Sequence, residues 1–320
     1  MSKLRLVIVA LVCLPIIALA QAWPQKPVRL LVGVSPGGNP DVFTRLMAVK
    51  LGDAFGQQFL VENRTGAGSN LAADGAAKSA PDGYTAFVGD SGVVAINPHL
   101  YAKMPFDPFR DLAPVTLAVV VPMWLVTHPS VPASNVGELV SLAKTSKTPL
   151  PYASSGNGSI HHITMEVFKS QMGIDLLHIP FKGAGQSVQA LLGGEVQVAF
   201  LGYPAMAQSI KAGRLRVIGF SLSGRSTLTP EVPTVAEQGA PGFDMAAEIG
   251  VFVAAGTRRE IIVRFGQAVA GVLRAPDVIE RMTAIGMEPV GISPEQYEKR
   301  LRDEYARYAK VVKSIGLRVE

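Results

Sequence analysis

Short apolar runs alternate with segments of helical periodicity along most of the chain. Residues 28–34 (VRLLVGV) form an apolar, β-branched run that leads into Pro-Gly-Gly, which is typical of a buried strand. From Pro40 the apolar positions recur with the period of a helix until Gly56, a residue type that commonly ends helices. Further strands are predicted at 59–62, 84–89, 115–127, 150–153, 176–179, 196–201 and 215–220, and further helices at 70–79, 135–144, 159–172, 184–193 and 204–212. Strands that alternate with helices of about 10–15 residues predict mostly parallel sheets with helices on both faces.

The last third of the chain has a different order of elements. One strand at 243–254 is followed by three helices at 258–273, 276–285 and 294–315. These helices must pack on a sheet that is formed by earlier residues, because an amphipathic helix needs a partner for its apolar face.

We therefore predict an α/β fold of two lobes, each a mostly parallel sheet flanked by helices. The chain would cross between the lobes twice, near 119–126 and near 246–252, and the two crossover strands would act as a hinge. The predicted first lobe is discontinuous, 23–122 plus 250–320, and the predicted second lobe is 123–249.

The N-terminus has the order of regions found in secretory signal peptides. Lys3 and Arg5 precede an apolar run over 6–20, and small residues follow up to Ala22. The run is shorter than the ~20 residues that a helix needs to span a bilayer. We predict a cleaved signal peptide at 1–22 and an exported mature chain; a buried N-terminal helix is the alternative. The single cysteine, Cys13, lies in this leader, so the mature chain has no thiol.

Composition and charge narrow the classes of protein. Of the 320 residues, 17% are charged, below the ~25% of an average soluble domain, and the mean hydropathy is +0.28. Intrinsic disorder is excluded, because it requires low hydrophobicity and a high fraction of charge. The formal net charge is +5, but the basic residues are scattered, so no nucleic-acid partner is expected. No nucleotide-binding glycine motif with the required spacing occurs, and we expect no cofactor.

Two glycine-rich polar loops each join a predicted strand to a predicted helix. The first runs from Ser35 to Asp41 (SPGGNPD), and the second runs from Ser154 to Ser159 (SSGNGS). Glycine lets the backbone approach a ligand, and the free N–H groups at the start of a helix bind anions. One such loop alone is equally well a tight turn without a ligand. Two loops, one in each predicted lobe, indicate an anion held between the lobes.

The first loop also contains a motif of serine hydrolases. Residues 33–37 (GVSPG) match G-x-S-x-G between a strand and a helix. In that motif the N–H of the residue after the serine helps to form the oxyanion hole, and Pro36 has no N–H. A secreted serine hydrolase that uses Ser35 is therefore an alternative function that Pro36 disfavours.

One histidine has the spacing of a metal ligand. His162 and Glu166 are separated by one turn of the helix predicted at 159–172 and could form a metal-binding pair. A third ligand is not evident, so we predict no metal site and a hydrogen-bonding role for His162 at the start of the helix. Two glycosylation sequons, at 63–65 and 157–159, have no meaning if the exporting cell is bacterial.

A series of short motifs along the mature chain recurs in one family. The motifs are WP-x-KPVR from Trp23, PGG-x-x-D from Pro36, VENR-x-GAG-x-N from Val61, APDGY from Ala80, NP from Asn97, YASSGNG from Tyr152, PFKG from Pro180, LLGG from Leu191, P-x-VPTVAE from Pro230 and PGF from Pro241. Together they cover essentially the whole mature chain. The set resembles the Bug family of periplasmic solute receptors, the binding components of tripartite tricarboxylate transporters.

The resemblance implies a type II-like periplasmic binding protein fold that closes on its ligand around a hinge. It implies a monomeric, non-enzymatic receptor in the periplasm that takes a small organic carboxylate or an amino acid to a membrane permease. The same closed form would also serve a receptor that signals to a partner, so signalling remains open. In the family, the two glycine loops hold the ligand carboxylate. The candidate ligand-binding residues are Ser35, Gly37, Gly38, Asp41, Ser155, Gly156, Asn157, Gly158 and Ser159, together with Ser91, His162, Tyr203 and Glu248.

Departures from the family pattern bear on the ligand. The sequence SIHH at 159–162 replaces the common Thr-Ser-Gln-His, and FLGYP at 200–204 stands where many members have Phe-Asp. Glu248 replaces an aromatic residue that often lines the cleft. We expect Glu248 to lie in or beside the cleft, to disfavour a second ligand carboxylate and to meet an amine or hydroxyl. A solvated hinge glutamate is the alternative.

Overall fold

Two separate β-sheets organise the chain. The structure is a computed structural model that describes residues 23–203 and 206–318, so the predicted leader at 1–22 lies outside it. The strands are β1 (Val28–Val32), β2 (Phe59–Asn63), β3 (Thr85–Asp90), β4 (Leu112–Pro122), β5 (Trp124–Thr127), β6 (Leu150–Ser154), β7 (Leu176–Pro180), β8 (Val198–Leu201), β9 (Arg216–Phe220), β10 (Ala246–Ala254) and β11 (Glu288–Pro289). The helices are α1 (Asn39–Phe55), α2 (Asn70–Ala77), α3 (Gly92–Ala95), α4 (Asn97–Leu100), α5 (Pro108–Asp111), α6 (Val136–Thr145), α7 (Ile160–Met172), α8 (Ala184–Leu192), α9 (Ala207–Lys211), α10 (Arg259–Leu273), α11 (Pro276–Ala284) and α12 (Pro294–Ile315). None of the helices described is long and apolar enough to cross a bilayer.

Each sheet forms the centre of one lobe. The first has the strand order β11-β4-β10-β3-β1-β2, and the second has the order β7-β6-β8-β5-β9. In the first sheet β1 is parallel to β2 and β3, whereas β10 is antiparallel to both β3 and β4. In the second sheet β6 is parallel to β7 and β8, and β5 is antiparallel to β8 and β9. Helices cover both faces, which explains the continuous apolar runs of the strands and confirms the predicted two-lobed α/β fold.

The chain passes between the lobes at two adjacent points. β4 ends at Pro122 in the first sheet and β5 begins at Trp124 in the second, so Met123 alone links them. The strand predicted at 115–127 is therefore two strands. The chain returns at Met245, whose N–H donates to Ser221 O in the second lobe at 2.9 Å, and Ala246 already pairs with Pro122 in the first sheet. The return thus precedes the predicted boundary at 249/250, because residues 246–249 belong to β10.

Helix α12 contacts both lobes. In its first half, Tyr297 and Leu301 pack in the first lobe against Phe252. In its second half, Tyr308 and Val312 belong to an apolar cluster that also contains Phe168 of the second lobe. The sequence predicts 250–320 as part of the first lobe only; the structure shows that its last helix also packs against the second.

Candidate ligand-binding site

The glycine loops lie at the facing edges of the two sheets. In the first sheet β1, β3 and β4 run in one direction, so their carboxyl ends share an edge with the start of β10. In the second sheet the carboxyl ends of β6 and β8 share an edge with the start of β5. Because Met123 alone separates β4 from β5, these two edges are neighbours. Ligands of parallel α/β sheets bind at such strand ends.

Asp41 stabilises the first loop through hydrogen bonds on its buried side. Its carboxylate is buried, with 2% of the residue exposed, and accepts hydrogen bonds from Gly37 N–H at 2.9 Å, Arg45 Nε at 3.0 Å and Asn63 Nδ2 at 2.8 Å. Burial alone would raise the pKa of Asp41, but these donors outweigh it and hold the pKa below the ordinary value. The carboxylate is thus occupied within the loop, which favours a supporting role over ligand contact.

Asn63 is a supporting residue to which the sequence assigned no role. Its amide also donates to Val34 O at 2.9 Å, so it ties the end of β2 to the loop that follows β1. Its place in the motif VENR, directly after a predicted strand, was the available signal.

The exposed part of the first loop leads directly into α1. Ser35 and Gly37 are exposed, and Gly37 has φ +88°, a conformation that favours glycine. Gly38 is the N-cap residue of α1, and no side chain caps the helix. A helix of 17 residues therefore starts at this loop without a side-chain cap, and its first turn already contains the Asp41 carboxylate.

The second loop has a buried anchor and an exposed tip. Ser154 is buried, and its Oγ accepts from Gly156 N–H at 3.2 Å. Gly156 and Gly158 have φ +127° and +72°, so both positions favour glycine. Ser159 caps α7 by accepting His162 N–H at 3.3 Å, and Asn157 at the tip is exposed.

His162 faces the interior of the second lobe. Its Nδ1 accepts Gly158 N–H at 3.1 Å, and its Nε2 lies 3.9 Å from Glu166 Oε1. Lys169 Nζ donates to the same Glu166 oxygen at 2.9 Å, so this oxygen already has a cationic partner. Among residues 23–203 and 206–318, no group of three or more His, Cys, Asp or Glu could hold a metal ion. Burial and then the neighbouring His178 lower the pKa of His162 to about 4, so the ring is neutral at pH 7.

Ser91 and Glu248 are engaged with α12. Ser91 Oγ lies 2.6 Å from Tyr297 Oη, and Ser91 N–H donates to Glu248 O at 2.7 Å. Glu248 is 8% exposed and accepts Arg300 Nε at 2.6 Å. Burial raises the pKa of Glu248 and Arg300 opposes the shift.

These contacts change the interpretation of Glu248. It is not a solvated hinge residue, and the paired Arg300 gives the expected repulsion of a second ligand carboxylate no support. Glu248 and Ser91 do border a small cavity of about 20 Å³ between the lobes, which Ile160 also lines. That volume holds about one water molecule.

Tyr203 lies just after the carboxyl end of β8, at the edge that faces the first lobe. It is half-buried, and its ring packs against Trp124 with 5.2 Å between ring centroids. The helix predicted at 204–212 begins only at Ala207 as α9; residues 204 and 205 lie outside the described residues.

The serine hydrolase hypothesis receives no support from the histidines. All five histidines of the chain bond to groups other than Ser35: His99 to Tyr305 O, His128 to Ser130, His161 to Ser155, His162 to Gly158 and His178 to Ser154. A nucleophilic serine needs a base within hydrogen-bond reach, and Ser35 has no histidine in that position.

Two α/β lobes joined by two adjacent crossings, with glycine loops at the facing strand ends, define a two-lobed solute receptor. The comparison of sequences is more specific. The chain belongs to the tripartite tricarboxylate transporter family of receptors, whose family profile matches residues 43–317. The family resemblance inferred from the motifs is thereby confirmed.

Relatives of known sequence or structure align over nearly the full chain. Protein BugT of Bordetella pertussis is 35% identical over 302 residues, which are 94% of this chain and 93% of BugT. The structure of R. palustris Rpa4515 with adipate has a TM-score of 0.85 at 33% identity and covers 93% of this chain and 99% of its own. MatC from Rhodopseudomonas palustris with bound malate has a TM-score of 0.80 at 29% identity, with 91% and 100% covered.

Proposed function

We propose that the chain is a periplasmic receptor that binds a small organic carboxylate between its lobes and delivers it to a membrane permease without catalysing a reaction. One observation carries this proposal. The start of α1, which no side chain caps, follows β1, and the glycine loop before α7 follows β6, so both lie at the strand-end edges that face each other across the crossing at Met123. A carboxylate between them would meet two helix N-termini, which favour negative charge.

The relatives support a carboxylate as the ligand. Rpa4515 is described with adipate and MatC with malate, and both superpose on this chain over more than nine-tenths of its length. We propose that this chain also binds a small organic carboxylate. The ligand itself need not be adipate or malate. A ligand that touches both loops would favour the closed arrangement of the lobes, and a membrane permease could recognise that arrangement.

The first test is a ligand screen on the mature chain. Thermal unfolding is followed with a panel of mono- and dicarboxylates and amino acids, and each hit is measured by titration calorimetry. A ligand bound only by the folded state raises the melting temperature, and the increase grows with the logarithm of the ligand concentration above Kd. We expect carboxylates to raise it and the matching amides to have no effect. A panel in which no carboxylate binds would overturn the proposal.

A pair of glycine variants locates the site. Gly37 and Gly56 flank α1, have φ +88° and +64°, and have open space where a Cβ would be added. Alanine strains both positions by a similar amount, about 1 kcal/mol. We expect Gly37→Ala to weaken carboxylate binding about tenfold, since it displaces the loop, and Gly56→Ala to leave affinity unchanged. Equal affinities in calorimetry for the two variants would place the ligand elsewhere.

Transport and signalling differ in their effect on uptake. A receptor that feeds a permease is needed for uptake of its ligand by intact cells, whereas a receptor that only signals is not. We expect deletion of the gene to abolish uptake of the radiolabelled acid.

The predicted export of the chain is tested by mass spectrometry of the protein from the periplasm of the undeleted cells, whose first residue should be Trp23.

A further inference from the structure

Two histidine rings are stacked directly beneath the second glycine loop. The centroids of His162 and His178 lie 3.7 Å apart and the rings are inclined by 17°. His162 is 6% exposed and His178 is half-buried. They come from different elements, α7 and β7, so the stack connects the helix that follows the loop with the neighbouring strand.

Each ring bonds to a different part of the loop. His162 Nδ1 accepts Gly158 N–H at 3.1 Å. His178 Nε2 lies 2.6 Å from Ser154 Oγ, and the same Oγ accepts Gly156 N–H at 3.2 Å. The amides of Gly156 and Gly158 are therefore both held from inside the lobe, and the exposed Asn157 lies between the two fixed points.

The rings are themselves held in place. The Tyr152 ring stacks on His178 with 4.9 Å between centroids, and Tyr152 Oη donates to Glu166 at 2.6 Å. Because His162 Nδ1 accepts a hydrogen bond, the proton of the neutral ring is on Nε2, which faces Glu166 Oε1 at 3.9 Å. Lys169 also holds Glu166 in place by donating to its carboxylate at 2.9 Å.

We propose that His162 is a positioning residue of the receptor: by accepting Gly158 N–H it fixes the second glycine loop in the conformation that receives a ligand carboxylate. His162 itself does not touch the ligand. The ligand part of this inference rests on the proposed function, whereas the clamp on Gly158 is a property of the loop alone. Pre-organised donors bind better than donors that must be ordered on binding.

Three substitutions at one position isolate the Nδ1 acceptor. In His162→Asn the side-chain oxygen can take the place of Nδ1, so the clamp is retained. In His162→Gln the amide lies one carbon further out, near the place of Nε2, and His162→Leu removes both nitrogens. His99→Leu is the matched control, because it also removes a histidine ring in contact with an aromatic ring, with its centroid 4.2 Å from that of Tyr305, and a hydrogen bond, 2.9 Å to Tyr305 O.

Hydrogen exchange of the Gly158 amide is the direct readout, measured by NMR on protein labelled with [15N]glycine and checked for folding by circular dichroism. We expect exchange to be at least about tenfold faster in the Leu and Gln variants and within about threefold of the unaltered chain in the Asn and His99→Leu variants. Carboxylate affinity, measured for the best binder of the screening panel, should follow the same order.

The outcomes separate the two proposals. Slow Gly158 exchange in His162→Leu, or an Asn variant as impaired as the Leu variant, overturns the clamp. Faster exchange together with unchanged affinity overturns the ligand role of the clamp. Faster exchange in a chain that binds no carboxylate at all contradicts the proposed function and supports the clamp as a property of the loop. If His162→Leu does not fold, the Gln and Asn pair carries the test.

Discussion

Asp41 and Asp90 are acidic residues near the same edge of the first sheet, but their partners favour opposite charge states. Asp41 has a guanidinium, a backbone N–H and an amide around it, which keep it ionised. The Asp90 side chain accepts Gly92 N–H at 2.6 Å, with no second hydrogen bond from the part of the chain that the structure describes, and has Glu248 as a neighbour. Burial first and Glu248 next raise the pKa of Asp90 to about 6. The residue type alone therefore does not say which carboxylate near the cleft carries charge.

The substitution Asp90→Asn should stabilise the protein at pH 7.5. The pKa of Asp90 is about 6 in the native state against an ordinary value of 3.8 for aspartate, so the ionised form costs stability above pH 6 and the cost disappears as the pH falls to about 4. Asparagine can still accept Gly92 N–H. We expect a gain of about 1–3 kcal/mol at pH 7.5 and none at pH 4, measured by urea unfolding at each pH.

The substitution Asp111→Asn is the control, because it should change the stability in the opposite direction. Arg110 lowers the pKa of Asp111 to about 2, so the ionised form stabilises the fold above pH 4 and that contribution is lost as the pH falls through 2. This variant should be less stable than the unaltered chain at pH 7.5. A pH-independent gain for Asp90→Asn would mean that side-chain packing, and not charge, had changed.

Two glycines of α10 show how the packing of an element decides the effect of a substitution. Gly266 faces β4, and an added Cβ would lie 3.1 Å from Val115 O, a backbone atom that cannot move away easily. Gly271, in the same helix, has no atom within 4 Å of that position. Glycine within a helix costs about 1 kcal/mol relative to alanine.

We therefore expect opposite effects from the same exchange in one helix. Gly271→Ala should raise the free energy of unfolding by about 0.5–1 kcal/mol, and Gly266→Ala should lower it by about 1–3 kcal/mol, because α10 must move off β4. Chemical denaturation of both variants checks this. A stabilising Gly266→Ala would show that α10 is not seated closely on β4.

The sequence predicts the long elements well because their periodicity extends over several turns or strands. Helix α12 was predicted at 294–315 and has those bounds. The four-residue helices α3, α4 and α5 were missed, since one turn is too short to show a helical period. The break at Met123 was missed for another reason: the residues on both sides are apolar and buried, so nothing in their pattern marks the change of sheet.

At the scale of the whole molecule, the sequence locates the loops at the cleft but not the direction of their side chains. Asp41, Ser91, His162 and Glu248 are all predicted as ligand-binding residues, and all four bond to other groups of the protein. The partners Tyr297 and Arg300 lie on α12, whose packing depends on the complete fold, whereas Arg45 and Gly158 are each four residues from the side chain they bond, Asp41 and His162 respectively. His178 gave no sequence signal because a lone histidine in a strand is usually a packing residue.

We expect packing across the lobes to set the angle between them in the ligand-free protein. Tyr308 of α12 borders the small interlobe cavity together with Ile160, the first residue of α7, while Leu301 packs only in the first lobe. Both side chains are almost fully buried, so alanine at either position should cost about 2–5 kcal/mol of stability. Only Tyr308→Ala should loosen the lobes, because only Tyr308 lies where they meet. We expect small-angle X-ray scattering to show a larger radius of gyration for ligand-free Tyr308→Ala than for the unaltered chain, and no change for Leu301→Ala. Identical radii for both variants would mean that the two crossings at Met123 and Met245 alone, and not α12, set the angle between the lobes.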